Sequence, residues 1–280
     1  MYRIRKRQDL SDIIKLLVVD APLIAEKAEP GQFIILRVRD QGERIPLTIA
    51  DFDREKGQIT LVFQIVGLTT ELLAQLEEGD SLLDLVGPLG QPAHLPESGR
   101  VACIAGGVGV APLYPKAKAL YQAGVEVITI IGARDKGLLV MTDMMDAVST
   151  QMHLCTDDGS LGYHGFVSGR LQELLDAGEQ FDEVVAIGPL PMMRATVEVT
   201  RPLGLKTWVS LNPIMVDGTG MCGACRVSVG DKTQFACVDG PMFDGHLVDF
   251  AEAMRRNQMY LPEEEKSLHH CRCRGGISHA

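Results

Sequence analysis

The 280-residue chain has no long hydrophobic run, and after its first seven positions it has no extended block of basic residues. A membrane-spanning helix needs roughly 20 consecutive apolar residues, so the sequence predicts none. The net charge of −10 gives no reason to expect a nucleic acid or an anionic membrane as partner. Polar residues at 8–12, not an apolar stretch, follow the basic segment 1–7. We therefore expect a cytoplasmic protein and not an exported one.

Aromatic residues are also few, at 5%, but hydrophobic residues make up 46% of the chain and the mean hydropathy is +0.08. This composition is typical of a folded globular protein and excludes a disordered one. The length is sufficient for a sizeable core and for more than one domain.

Residues 1–97 predict an antiparallel β-barrel or sandwich. Short apolar runs at 33–38, 58–63 and 81–86 are separated by turn signals that contain Gly, Pro or Asp. Several short strands at this spacing are typical of small all-β domains. One helix, at about 70–76, is expected to interrupt them.

The pattern changes at residue 98, where apolar strands begin to alternate with helices. Strands expected at 101–105, 125–132, 152–156 and 183–188 indicate βαβ units and a parallel sheet. From residue 211 the chain is rich in Gly and Cys, and it ends in a charged helix and a polar tail. We thus predict a β plus α/β protein with domains 1–97, 98–210 and 211–280.

Five of the seven cysteines lie in the last third of the chain, and clustered cysteines in a cytoplasmic protein more often bind metal than form disulfides. Cys222 and Cys225 have the spacing of ligands in plant-type 2Fe-2S ferredoxins, with Asp217 in place of the first Cys. Cys237 provides a distant fourth ligand. Glycines between them allow backbone N–H groups to turn toward cluster sulfurs, and a carboxylate can serve as an anionic iron ligand.

Two other interpretations of this loop remain open. The same four residues could hold a structural zinc ion, or the thiols could simply pack as small hydrophobic groups. Cys103 and Cys155 lie in apolar strands and are interpreted as core residues. Cys271 and Cys273, in the polar tail, are assigned no role.

Three polar or Gly-rich loops, 106–112, 156–162 and 187–193, are expected at the carboxyl edge of the parallel sheet, where open α/β folds bind ligands. The first does not match the G-x-G-x-x-G fingerprint, and ordinary turn chemistry explains each loop taken singly. In the β half, Gly67 followed by Thr69 and Thr70 marks a helix start, which suits a pyrophosphate or simple capping.

Taken in order, these motifs resemble the ferredoxin-NADP reductase-like flavoproteins over nearly the whole chain. The motifs are Arg-x-Pro-x-Thr at 44–48, Gly-x-Thr-Thr at 67–70, the three edge loops and the cysteine loop. The similarity is greatest to the subgroup with a C-terminal 2Fe-2S loop. This subgroup includes the electron-transfer subunits of dihydroorotate dehydrogenase and the small (alpha) subunits of NADH-dependent reduced ferredoxin:NADP oxidoreductase. The former use four Cys ligands, whereas Asp217 with three Cys resembles the latter.

The resemblance implies an oxidoreductase subunit that moves electrons between NAD(H), FAD and a 2Fe-2S cluster, with no acid–base pair of its own. The implied cluster ligands are Asp217, Cys222, Cys225 and Cys237. The implied FAD contacts come from Pro46, Leu47, Thr48, Phe63, Gln64, Gly67, Thr69 and Thr70. The implied NAD(H) contacts come from Gly106, Gly107, Gly109, Asp157, Asp158, Gly188 and Met192.

The resemblance also implies a heterodimer with a larger subunit that carries a second FAD and 4Fe-4S clusters, binds NADP, reaches ferredoxin and bifurcates electrons. Two alternatives remain open. One is the NAD-linked electron-transfer subunit of dihydroorotate dehydrogenase, and the other is a flavin-free metal-binding scaffold module. The preference for NAD also rests on the resemblance, because Arg134 after the second strand of the sheet would suit the 2′-phosphate of NADP.

Overall fold

The structure, a computed structural model, describes residues 2–273. The first part of the chain contains seven strands and two short helices: β1 (Tyr2–Asp9), β2 (Ile14–Asp20), α1 (Pro22–Lys27), β3 (Phe33–Arg37), β4 (Arg44–Asp53), β5 (Gln58–Gln64), α2 (Leu68–Ala74), β6 (Ser81–Leu82) and β7 (Asp84–Leu89). The strands form one antiparallel sheet in the order β6-β1-β2-β5-β4-β3-β7, which nearly closes into a barrel. The predicted barrel is therefore confirmed.

The expectation of a single helix in this half is wrong, because α1 precedes α2. Pro22 begins α1 at a position where its missing N–H costs no hydrogen bond and its fixed φ favours the helix. With only six residues, α1 is too short to show a helical period in the sequence.

The second part of the chain alternates strands and helices: β8 (Arg100–Gly106), α3 (Val110–Gln122), β9 (Glu126–Ala133), α4 (Thr142–Asp146), β10 (Gln151–Thr156), β11 (Tyr163–His164), α5 (Val167–Asp176), β12 (Glu183–Ile187), α6 (Leu190–Thr200) and β13 (Thr207–Ser210). Its strands form the predicted parallel sheet in the order β11-β10-β9-β8-β12-β13. Alternate residues of β8 pack against α3 on one face and against α5 and α6 on the other. Burial on both faces explains the continuous apolar runs.

The last part of the chain contains β14 (Arg226–Val229), β15 (Lys232–Phe235), β16 (Met242–Asp244), α7 (Phe250–Asn257) and α8 (Leu261–Cys273). β14 and β15 pair as a hairpin, and β16 adds to the edge of the parallel sheet, antiparallel to β13. The side chain of Asp249 caps α7 by accepting from the N–H of Glu252 at 2.8 Å. The polar tail is helical over α8, which packs against α2.

Two sets of polar contacts join these parts. Lys118 on α3 forms an ion pair with Asp51 on β4, with Nζ 2.9 and 3.1 Å from the two carboxylate oxygens. Gln91, just after β7, donates from its backbone N–H to the Gly240 carbonyl at 2.6 Å and from its side chain to the Val238 carbonyl at 2.8 Å. The cysteine-rich segment is thereby attached to the barrel and, through β16, to the parallel sheet. Among the helices of residues 2–273, none combines the length and the apolar character needed to cross a membrane.

Candidate cofactor sites

Cys225 and Cys237 form the buried half of the cysteine loop. Both are about 2% exposed, and their thiols lie within hydrogen-bonding reach of each other. Burial, together with the Cys225 thiol, raises the pKa of Cys237 to about 12. Two thiols this close would have to share one cation to ionise together, so the pair is suited to binding one metal ion as thiolates.

Cys222 forms the exposed half of the loop. Backbone N–H groups of Ala224 and Asp217 donate to its sulfur and lower the pKa of the thiol. Gly220 provides a similar N–H to Cys237. Inward-facing N–H groups of this kind can also bond to the sulfides of a cluster, as the glycine content of the loop predicts.

The carboxylate of Asp217 is held within its own loop. One oxygen accepts from the hydroxyl of Thr219, from the N–H of Thr219 at 2.9 Å and, at 3.4 Å, from the N–H of Met221. These bonds, the Thr219 hydroxyl first, lower the pKa of Asp217, and the positive charge of Arg44 adds to the effect. The carboxylate is therefore ionised at neutral pH, as an iron ligand must be.

The four donors fall into two pairs, Asp217 with Cys222 and Cys225 with Cys237. Among the side chains that the structure describes, no three of His, Cys, Asp or Glu are gathered tightly enough to hold one ion. A cluster with two irons needs four anionic donors divided between the two metals, and this donor set fits it. The backbone N–H of Asp217 bonds to the sulfur of Cys222, whereas its carboxylate bonds to Thr219 and would have to leave that residue to bind iron.

The other cysteines behave differently. Cys103 and Cys155 are fully buried in β8 and β10, as predicted, and burial raises the pKa of the two thiols to about 12 and about 11. The side chains of Cys271 and Cys273 lie outside the described residues.

At the carboxyl edge of the parallel sheet, the loops after β8 and β12 touch. A Cβ at Gly109 would lie 2.3 Å from the Ile187 oxygen, and at Gly106 or Gly188 it would lie 2.5 or 2.7 Å from the sulfur of Met192. Gly107, with φ +56°, is open to solvent space on its Cβ side. The 3₁₀ turn Gly107–Gly109 leads directly into α3, so the N–H groups at that helix start face this edge.

Asp157 and Asp158 follow β10 at the same edge, two strands away from β8. Their N–H groups donate to the carbonyls of Ala133 and Arg134, at 3.0 and 3.1 Å, which ties this loop to the one after β9. The hydroxyl and N–H of Ser160 lower the pKa of Asp158. The three predicted loops therefore line one edge of the sheet. Asp157 and Asp158 follow β10 and Gly188 follows β12, with β9 and β8 between these two strands.

The candidate FAD residues lie on the barrel. Pro46, Leu47 and Thr48 are half-buried on β4, where they pair with Ile35, Ile34 and Phe33 of β3. Gln64 ends β5 half-buried, whereas the ring of Phe63 is 2% exposed in the barrel core, so only its backbone could reach a ligand.

Gly67 precedes α2, and the Thr70 hydroxyl accepts from the N–H groups of Val66 and Gly67 at 2.9 and 3.0 Å. The Thr69 hydroxyl donates to the carboxylate of Glu43 at 3.0 Å. A phosphate bound here would have to displace Glu43.

Sequence reasoning missed Thr219 and Glu43. The Asp-x-Thr spacing is a known turn signal and could have revealed Thr219. Glu43 is 26 residues from Thr69, and no local pattern reveals that contact.

The sequence of the chain is similar to those of known electron-transfer subunits. Residues 212–249 match the model of the iron-sulfur cluster binding domain of dihydroorotate dehydrogenase B. The chain is 47% identical over 249 residues to a dihydroorotate dehydrogenase B (NAD(+)) electron transfer subunit homolog of Thermotoga maritima, covering 89% of this chain and 88% of the relative. It is 36% identical to the electron transfer subunit of Bacillus caldolyticus, covering 81% of this chain and 89% of that one.

Among solved structures, a chain from the NADH-dependent reduced ferredoxin-NADP oxidoreductase, described for flavin-based electron bifurcation, superimposes with a TM-score of 0.93. It is 42% identical, and the match covers 98% of both chains. The chain therefore belongs to the family of iron–sulfur electron-transfer subunits that includes those of dihydroorotate dehydrogenase B.

Proposed function

We propose that the chain is the small subunit of an electron-bifurcating NADH-dependent reduced ferredoxin:NADP oxidoreductase. In this role it moves electrons between NAD(H), FAD and a 2Fe-2S cluster. The observation that carries the proposal is the donor set of the cysteine loop, in which Asp217 stands where a first Cys would be. The match over 98% of both chains to a structure of that enzyme supports it.

Each proposed site corresponds to one part of the fold. Residues 1–97 would bind FAD through β4 and the start of α2, and residues 98–210 would bind NAD(H) at the sheet edge. Residues 211–280 would hold the cluster through Asp217, Cys222, Cys225 and Cys237. A flavin bound there would supply hydride chemistry toward the nicotinamide and one-electron chemistry toward the cluster.

The chain's own part in this chemistry is binding and orientation. The N–H groups at the start of α3 favour binding of a pyrophosphate. The close contacts at Gly106, Gly109 and Gly188 fix the loops after β8 and β12 against each other at the carboxyl edge of the sheet. The N–H groups of Ala224, Asp217 and Gly220 stabilise negative charge on sulfur.

The proposed partner is a larger subunit with a second FAD and 4Fe-4S clusters, joined to this chain as a heterodimer and reaching NADP and ferredoxin. The relatives from Thermotoga maritima and Bacillus caldolyticus are named as an electron transfer subunit homolog and an electron transfer subunit, which supports a partner of this kind. A cytoplasmic location is part of the same proposal. The unpaired thiols of Cys222, Cys225 and Cys237 suit a reducing compartment.

A second candidate is the electron-transfer subunit of dihydroorotate dehydrogenase. The family model over residues 212–249 and the curated relatives favour it. Asp217 argues against it, because that subunit is expected to use four Cys ligands. Reduction of NAD by dihydroorotate in the native complex would support this candidate against the first.

The decisive experiment is a visible spectrum of protein purified without oxygen, with iron and acid-labile sulfide measured on the same sample. The proposal predicts flavin bands and broad iron–sulfur absorption that NADH bleaches. Zinc without sulfide, or a colourless protein, would contradict it and favour a metal-binding scaffold.

The variant Asp217→Cys sharpens the test of the cluster ligands. It should keep the iron but change the cluster spectrum toward that of four thiolates, whereas Asp217→Ala should lower iron content. An unchanged spectrum in both variants would mean that Asp217 is not a ligand.

The preference for NAD over NADP is part of the proposal as well. The carbonyl of Arg134 accepts from the N–H of Asp158, so Arg134 lies next to the loop that carries Asp157 and Asp158. Asp157 and Asp158 would repel the 2′-phosphate of NADP, and Arg134 would attract it. The ratio of NADH to NADPH oxidation by the purified subunit measures which effect dominates.

A further inference from the structure

Gly218, the residue after Asp217, lies directly against the wall of the barrel. It is buried with φ +84°, and a Cβ placed on it would lie 2.5 Å from Cδ1 of Ile35 and 2.9 Å from Cδ1 of Leu89. The backbone of the cysteine loop therefore touches β3 and β7 with no side chain between them. Only glycine allows an approach this close at this backbone angle.

Ile35 faces the cysteine loop because side chains alternate along β3. Ile34 and Leu36 point into the barrel core, whereas Phe33 and Ile35 point outward, into the hydrophobic cluster that contains Cys225 and Cys237. β3 therefore lies between the barrel core and the cysteine loop, with one face packed against each.

Ile35 is also next to the candidate flavin strand. In the register of β3 with β4, Ile35 pairs with Pro46 and Phe33 pairs with Thr48. Directly paired residues of an antiparallel sheet project their side chains to the same face, with Cβ atoms about 5 Å apart. Pro46 and Thr48 consequently share the outer face on which Ile35 meets Gly218.

The far end of the loop is attached to the same part of the barrel. Gln91, two residues after β7, bonds the carbonyls of Val238 and Gly240 at 2.8 and 2.6 Å. The barrel therefore contacts the loop at Gly218, just after the first donor, and at Val238 and Gly240, just after the last donor.

We propose that Ile35 is a positioning residue, and that its contact with Gly218 sets the separation between the flavin and the cluster. The proposal rests on the proposed function, because it needs both cofactors to bind. It assigns to Ile35 a role separate from cofactor binding, since neither Ile35 nor Gly218 provides a ligand atom.

The test compares Gly218→Ala with Gly124→Ala in the cofactor-loaded protein. Gly124 has the same φ of +84° but no atom within 4 Å of an added Cβ, so it carries the backbone strain without the clash. Carbon atoms in contact prefer about 3.5 Å, so Gly218→Ala should move the loop from Ile35 by about 1 Å. A crystal structure should show a longer flavin-to-iron distance, and rapid mixing with NADH should show slower cluster reduction, for Gly218→Ala only.

Removing the nearer of the two clashing atoms should restore part of the contact. Ile35→Val deletes Cδ1 of Ile35 and leaves Cδ1 of Leu89 at 2.9 Å, so the pair Gly218→Ala with Ile35→Val should recover part of the distance and rate. If Gly218→Ala does not fold, the double variant should fold and bind iron. A Gly218→Ala protein with wild-type distance and rate, or a double variant that is no better than Gly218→Ala, would overturn the proposal. Wild-type protein without flavin or iron would instead contradict the proposed function.

Discussion

The parallel sheet and the cysteine loop use the same two residue types, glycine and cysteine, for opposite purposes. At the edge of the sheet, Gly109 is required because backbone atoms of Ile187 leave no room for a Cβ, and within the sheet Cys103 is a buried apolar filler. In the loop, Gly223 has φ +67° with its nearest neighbour at an ordinary 3.6 Å, and Cys222 is exposed beside N–H donors. Residue type alone therefore does not indicate function, whereas backbone handedness and neighbouring donors do.

The largest expected difference between the two regions is in iron binding. Cys237→Ala should reduce iron and acid-labile sulfide to background and leave flavin bound, because the barrel does not depend on this thiol. Cys155→Ala, a buried cysteine of the sheet, should retain both cofactors. Elemental analysis and the flavin spectrum of the two variants measure this, and full iron content in Cys237→Ala would contradict the assigned ligand set.

The second largest expected difference between the cysteine loop and the parallel sheet is in the reactivity of their thiols in the apoprotein. Backbone N–H donors lower the pKa of Cys222, so its thiolate is present at a lower pH than in an ordinary cysteine. Burial raises the pKa of Cys103 to about 12 and also excludes the reagent. At pH 7 to 8, iodoacetamide should alkylate Cys222 first, as read by peptide mass spectrometry. Modification of Cys103 in the folded protein at a similar rate would contradict this.

A buried amine in the sheet region should give a measurable pH dependence. Lys116 on α3 is 1% exposed, donates to the Pro112 carbonyl at 2.7 Å, and burial lowers its pKa to about 7. Between about pH 7 and 10.5 the unfolded chain binds the extra proton, so this residue's contribution to stability rises with pH over that window. Below pH 7 the folded state must carry the buried charge, which costs a few kcal/mol at about 1.4 kcal/mol per unit of pKa.

Lys116→Met should therefore be more stable than wild type at pH 6, and the gain should shrink as the pH approaches 10. Urea unfolding of both proteins at several pH values measures the difference, in which the titration of all other groups cancels. A gain independent of pH would mean that Lys116 has the same pKa in the folded and the unfolded chain, and that burial does not lower it.

The barrel, the parallel sheet and the edge loops were predictable because each follows from a local pattern. Apolar runs bounded by Gly and Pro mark β8, β9 and β12, and strands that continue into helices place their loops on one edge. The contacts of Gly218 with Ile35 and of Thr69 with Glu43 were not predictable. Both contacts join segments that are far apart in the chain, so the sequence of neither segment alone indicates the contact.

The smallest expected effect is the difference in stability between Ala and Asn substitutions at two glycines, Gly223 in the loop and Gly109 at the sheet edge. Asn tolerates the left-handed region better than Ala does, since its side chain can bond to the local backbone. At Gly223, with φ +67°, Ala should cost about 1 kcal/mol of unfolding free energy and Asn less. At Gly109, with φ −59°, a Cβ would meet the Ile187 oxygen at 2.3 Å, so Ala should cost about 2 to 3 kcal/mol and the larger Asn more. Urea unfolding of the four apoprotein variants measures which substitution, Ala or Asn, costs more unfolding free energy at each position. If Asn is milder than Ala at both positions, the two glycines differ only in degree, and the contrast between close packing at Gly109 and backbone handedness at Gly223 fails.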